Sequence, residues 1–150
     1  MARKHNDKLK EPPWLRIDEN RPLRHAFEVR HESFLCDEFM QLLRKHNAAL
    51  MFADSAAKLC YAEDVTSDFI YIRLHGSTEI YTSGYSDEEL GRWAEKIRKW
   101  RTGGQPVDAS CVTRSVGRRS TRRDVYAFFD NDAKIHAPFD AQRLAAMLRH

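Results

Sequence analysis

The stretch FIYIRLHG, from Phe69 to Gly76, is typical of a buried strand that becomes polar toward its carboxyl end. Successive side chains of a strand point to opposite faces, so this run has one purely aliphatic face and one that changes from aromatic to charged. An aliphatic face suits packing under a layer of helices, and a charged strand end suits a ligand site. The first face comprises Ile70, Ile72 and Leu74, and the second comprises Tyr71, Arg73 and His75.

Three other apolar runs follow the same design. AFEVR covers residues 26–30, ALMFAD covers 49–54 and DVYAFFDN covers 124–131, and each ends in charged or amide side chains. Helical patterns alternate with these runs, which predicts an α/β fold with a parallel sheet. Periodicity alone does not choose between an open doubly wound sheet and half of an eight-stranded barrel. In either arrangement ligand sites form at the carboxyl ends of the strands.

The clearest helix signal follows the third run. Ser86 and Glu89 have the spacing of a capping box, and Gly103 is placed to end the helix. An earlier helix is predicted within residues 34–47, and a later one begins near Pro138. The segment 55–68 is expected to be a loop with about one turn. The apolar side of the first helix is predicted to comprise Phe39, Leu42 and Leu43, and that of the second Leu90, Trp93, Ile97 and Trp100.

Composition places the chain among ordinary globular domains. Of its 150 residues, 42% are apolar and 31% are charged, and the net charge is only +3. No apolar run reaches the ~18 residues of a membrane span, and the basic start lacks the apolar stretch of a secretory signal. We therefore expect a cytoplasmic protein with no membrane partner. Residues 1–25 are interpreted as an irregular lead-in and residues 26–150 as one domain.

The polar strand ends are the candidate site. Arg30 and Arg73 carry the planar fork that binds phosphate or carboxylate groups, so we expect a phosphate-containing small molecule as ligand. Glu28, Asp54 and His75 are candidate general acids or bases. Each also has a structural interpretation, since strand-end acids cap turns and a glutamate can pair with a nearby arginine. No tight metal-ligand spacing occurs, and neither a metal nor a cofactor is predicted.

A basic loop is predicted over residues 102–123. Six arginines and a single acid, Asp108, lie between Arg101 and Arg123. Residues such as Arg118 and Arg119 would suit contacts with nucleic-acid phosphates. No aromatic side chains are interleaved with them, so a solvated loop is the favoured interpretation and nucleic-acid binding the weaker one.

Four segments resemble the YecE-like family, known as domain of unknown function 72, and the resemblance runs from about His25 to Leu148. The segments are AFEVRHESF, ALMFADS, FIYIRLHGSTEIYTSGYSDEELGRWAEKI and DVYAFFDNDAKIHAPFDAQRLAAML. The resemblance implies a partial TIM-type (β/α) barrel of about four βα units, covering only the carboxyl-terminal half of the family's fold. The matching positions imply a site of unassigned activity. In FDN the acid Asp130 departs from the family's usual Phe-Asn-Asn. The implied site residues are Glu28, Arg30, Asp54, Arg73, His75, Gly76 and Asn131.

A half-barrel leaves strand edges and an inner face without partners. Two copies that close against each other would solve this problem, so a homo-oligomer is expected. The alternative function is that of a non-catalytic, truncated barrel fragment that acts through this self-association. A fragment that folds poorly alone is an equally allowed outcome.

Overall fold

Four parallel strands form one sheet in the order β1–β2–β3–β4. The computed structural model describes residues 14–114 and 122–149. The strands are β1 (Ala26–Phe27), β2 (Ala49–Asp54), β3 (Phe69–Leu74) and β4 (Asp124–Phe129). The helices are α1 (Asp37–Lys45), α2 (Asp87–Arg101) and α3 (His136–Met147), with a short 3-10 turn at Glu32–Phe34. The parallel α/β class predicted from the alternating pattern is confirmed.

The helices pack on one face of the sheet. This helix face is built from aliphatic and aromatic side chains such as Leu50, Phe52 and Ile72, which lie in one core with Trp100 and Leu144 of the helices. The other face, called here the open face, is defined by Met51, Tyr71, Arg73, Tyr126 and Phe128. Its aromatic side chains are partly exposed: Tyr126 keeps 41% and Phe128 keeps 49% of its surface accessible.

Helix α2 forms as its sequence predicts. The Ser86 hydroxyl accepts from the Glu89 amide, and the Glu89 carboxylate accepts from the Ser86 amide at 2.7 Å, so two of the otherwise unpaired amides are satisfied. The buried stripe includes Trp93 and Trp100, and Gly103 follows the helix with a positive φ of 82°. This helix covers the sheet directly behind the predicted site.

Some element boundaries differ from the sequence prediction. Only two residues of AFEVR pair as strand β1, because the chain turns away into the 3-10 segment. Helix α3 begins at His136, so Pro138 lies within its first turn rather than at its start. The prediction for α1 was wrong at Leu42, which is 51% exposed, whereas Met40 is fully buried.

Buried ion pairs take the place of a helix between β2 and β3. Segment 55–68 contains no helix, as predicted. The fully buried Glu63 forms an ion pair with Lys96 of α2, with 2.8 Å between Oε1 and Nζ. Asp64 forms one with Arg44 of α1, with 3.4 Å between Oδ1 and Nη2. Because Glu63 and Asp64 each have a cationic partner, these two buried carboxylates can lie against the core without an uncompensated charge.

The turn after β3 depends on Gly76. Its φ of +123° is a conformation that residues with a side chain rarely adopt. A Cβ at this position would collide with the carbonyl oxygen of Glu79 and lie 3.0 Å from the Ser83 hydroxyl. Gly91, in the middle of α2, has no neighbour within 4 Å of the same position.

We expect Gly76→Ala to lower the free energy of unfolding by about 1–3 kcal/mol, because it adds both strain and a clash. Gly91→Ala is the matched control and should raise it by roughly 0.5–1 kcal/mol, since alanine favours a helix interior. Urea denaturation followed by circular dichroism measures both. Equal stability of the Gly76→Ala variant and the unmodified protein would contradict the importance of this turn.

Candidate functional site

The predicted carboxylate and arginines meet at the carboxyl end of the open face. The Glu28 carboxylate accepts from Arg73 through Oε2 at 2.7 Å and forms an ion pair with Arg30 through Oε1 at 2.8 Å. One acid therefore holds two guanidinium groups. Arg73 reaches Glu28 across β2, where its register partner is Ala53, a small side chain that is 1% exposed.

Asp130 completes the cluster from β4. Its Oδ2 accepts from Arg73 Nη2 and lies 3.1 Å from His75 Nδ1. Its backbone amide donates to Leu74 O at 2.8 Å, which extends the β3–β4 pairing past the end of the strand. We define the charged cluster as Glu28, Arg30, Arg73, His75 and Asp130. The sequence pattern placed Asp130 at a polar strand end, but the predicted site residues did not include it, although alternation along β4 places it on the same face as Phe128.

His75 is fully buried at the centre of the charged cluster. Its Nε2 lies 3.7 Å from Glu28 Oε1, and neither ring nitrogen forms a well-directed hydrogen bond with a described residue. Burial lowers the pKa of His75 below its usual 6.5, and the nearby Arg73 lowers it further, while Asp130 and Glu28 oppose the shift. The imidazole is therefore neutral at neutral pH, with nitrogens that can accept or donate a proton.

Tyr81 was not predicted from the sequence. Its ring lies edge-on to His75 with centroids 5.4 Å apart, and 41% of its surface is exposed. Its backbone has a φ of 65°, and its amide donates to the His75 carbonyl. A positive φ at a tyrosine is unusual and marks a constrained turn, which no short sequence pattern reveals.

Gly76 and Asn131 contact neighbouring loops. The Gly76 amide donates to the Tyr85 hydroxyl at 3.1 Å. The fully buried Asn131 donates through Nδ2 to Ser83 O at 3.0 Å and to Asp140 Oδ2 at 2.9 Å. Both residues therefore hold the β3–α2 loop beside the charged cluster, which is a positioning role.

Asp54 points toward the helix face. Its carboxylate is a hydrogen-bond partner of Tyr85 and Trp93, and burial raises its pKa. The Asp54 backbone carbonyl accepts from the His75 amide at 2.8 Å, but the Asp54 carboxylate lies with Tyr85 and Trp93 and not in the charged cluster. It lines a separate cavity of about 340 Å³ between the strand end and α2, together with Ser77, Tyr85, Glu89, Arg92, Trp93, Lys96 and Asp108.

The basic loop lies partly outside the described residues, which exclude 115–121 and therefore Arg118 and Arg119. Arg123 is 4% exposed and donates to Trp100 O at 3.3 Å and Gly104 O at 3.1 Å, so it closes the end of α2. Nucleic-acid binding through this loop stays a prediction.

Comparison with known proteins identifies the family. Residues 3–150 match the family described as Protein of unknown function DUF72. The chain belongs to the DUF72 family. This confirms the resemblance drawn from the strand ends. No curated protein matches the chain. Among the described residues, no helix is long and apolar enough to cross a membrane.

Two solved DUF72 structures share the fold. A DUF72 family protein from Thermotoga maritima is 25% identical with a TM-score of 0.66, and the match covers 86% of this chain and 47% of that one. One from Enterococcus faecalis is 15% identical with a TM-score of 0.63, covering 85% and 48% respectively. The present chain thus spans about half the length of these DUF72 proteins.

The pKa of His75 makes the stability of this DUF72 domain pH-dependent. Because the pKa of His75 is lower in the folded protein, the unfolded chain binds the proton more readily. The contribution of neutral His75 to the free energy of unfolding is therefore present above pH 6.5, and it is lost as the pH falls through the pKa of the folded protein. We expect the free energy of unfolding to fall by up to about 1.4 kcal/mol per pH unit in that window.

Urea titrations at successive pH values test this expectation in His75→Gln, with the exposed His46→Gln as control. The slope of the free energy of unfolding against pH should flatten in His75→Gln only. An unchanged slope in His75→Gln would show that another group causes the acid sensitivity.

Proposed function

We propose that the charged cluster binds an anionic small molecule, with a phosphate or sugar phosphate as the ligand class that fits best. The observation that carries this proposal is the pair of guanidinium groups held on the two oxygens of one carboxylate, at 2.8 and 2.7 Å. Arginine presents five N–H donors in a fixed fork, so two forks on one anchor can bind several oxygens of a phosphate.

The relative exposure of the charged side chains supports an anionic ligand rather than a cationic one. The Arg30 side chain is 54% exposed, whereas that of Glu28 is only 11% exposed. Two acids and two arginines give a formal net charge of zero when His75 is neutral, but the guanidinium of Arg30 lies outermost. An approaching anion therefore meets the positive group first, and Glu28 holds that group in place from beneath.

The acid and base roles follow from the same contacts. Glu28 and His75 are the candidates that lie within the charged cluster. A neutral, buried imidazole beside two carboxylates can transfer a proton once a ligand excludes water. Asp54, from its separate cavity, would act only on a different ligand. We assign a ligand class to this site and leave the reaction open.

We further propose that the sheet is a segment of a TIM-type (β/α) barrel formed by residues 26–150, with residues 1–25 as lead-in. Parallel strands in sequence order, with helices on one face and polar ends on the other, support this architecture. A further support is Arg24, which precedes β1 yet pairs with Asp124 of β4 at 2.7 Å. A sheet that curves about its open face would bring these two residues together.

Isothermal titration calorimetry with inorganic phosphate and glucose 6-phosphate tests the ligand site. We expect Arg30→Ala and Arg73→Ala each to weaken binding by about ten-fold or more, because each removes a charge-assisted donor set. Arg92→Ala is the control, since its side chain is 57% exposed and pairs with Glu88 on α2.

Binding that is unaffected by Arg30→Ala and Arg73→Ala would refute the site. Equal losses in all three variants would point to a general charge effect instead. Circular dichroism of each variant confirms that the fold is retained.

A further inference from the structure

We propose that a second copy of this chain covers the open face and that the proposed anion site is completed by residues of both copies. The first support is the aromatic surface that the open face exposes. Phe128 stacks on Tyr71 with centroids 5.0 Å apart, and both Phe128 and Tyr126 remain more than two-fifths exposed. Clustered apolar surface of this kind is typical of an interface.

The two edges of the sheet fit one another. In the part of the chain that the structure describes, strands β1 and β4 each have one paired neighbour, and all strands run in the same direction. A symmetry axis parallel to the strands would bring β1 of one copy beside β4 of the other, again in parallel. Two such joints would close eight strands into a barrel and leave no exposed edge.

Charge along the edges matches in this arrangement. Beside β1 the carboxyl end carries Arg30, with a side chain that is 54% exposed, and beside β4 it carries Asp130, 35% exposed. At each joint Arg30 would therefore approach the partner subunit's Asp130, a pairing of opposite charges. One level below, the aromatic side chains of the two open faces would meet each other.

The consequence for ligand binding rests on the proposed function. Closing the barrel brings two charged clusters around one opening at its carboxyl end. Each Arg30 would then lie between its own Glu28 and the partner subunit's Asp130, so its guanidinium is fixed from both sides. Phosphate binding should therefore depend on assembly. One chain contains a whole charged cluster, but only the dimer fixes its Arg30 from both sides.

Light scattering coupled to gel filtration tests the assembly, with the full chain at micromolar concentration. We expect twice the mass of one chain. Tyr126→Asp places a charge on the open face, far along β4 from Asp130, and should give the mass of a single chain. Phe139→Asp, at a 60% exposed phenylalanine on α3, is the matched control and should keep the double mass.

A single-chain mass for the unmodified protein would overturn the proposal, as would a dimer that Tyr126→Asp leaves intact or that Phe139→Asp abolishes. Circular dichroism verifies that the variants fold. If Tyr126→Asp unfolds, dilution of the unmodified protein provides the second measurement: dissociation should expose the aromatic side chains to a hydrophobic dye, and constant dye binding would count against the interface.

Phosphate calorimetry separates the two proposals. Binding that weakens about ten-fold in Tyr126→Asp, but not in Phe139→Asp, supports a shared site. Undiminished binding by single chains would refute the shared site and leave the anion site in place. A dimer that binds no phosphate would refute the anion site and leave the pairing of the sheets in place.

Discussion

The Glu28 carboxylate joins the first strand to the third through Arg73, which continues to Asp130 beside the fourth. The second strand contributes Ala53, whose small side chain leaves room for Arg73 to cross above it. Because an uncompensated buried charge is costly, each group in this series requires its neighbours. The strand ends therefore converge at one place, and the positions of His75, Tyr81 and Arg30 follow from that convergence.

This convergence also leaves groups that stability alone does not explain. Native proteins pair nearly all buried polar atoms, yet neither nitrogen of the fully buried His75 has a well-directed hydrogen bond within residues 14–114 and 122–149. Arg30 has an exposed guanidinium above a nearly buried acid. Such departures concentrate at sites that bind ligands, where a missing partner is supplied from outside.

Local patterns predicted most of the fold. The capping box at Ser86 and the alternation from Phe69 to His75 are decided by neighbouring residues, and both are found in the structure. Alternation also brought Glu28, Arg30, Arg73 and His75 to one site. Asp54 faces the other side, because its alternation with Phe52 assigns it to the helix face. Tyr81 depends on a constrained turn, so it could be identified only from the fold.

A double-mutant cycle between Glu28→Gln and Arg73→Met tests the central ion pair most directly. Urea unfolding of the four proteins gives the coupling free energy, and repeating it at two chain concentrations separates the ion pair from any effect of assembly. A pair that organises the strand ends should show a coupling of about 1–3 kcal/mol. Losses that add within about 0.5 kcal/mol would show that the two residues act independently and would contradict the account.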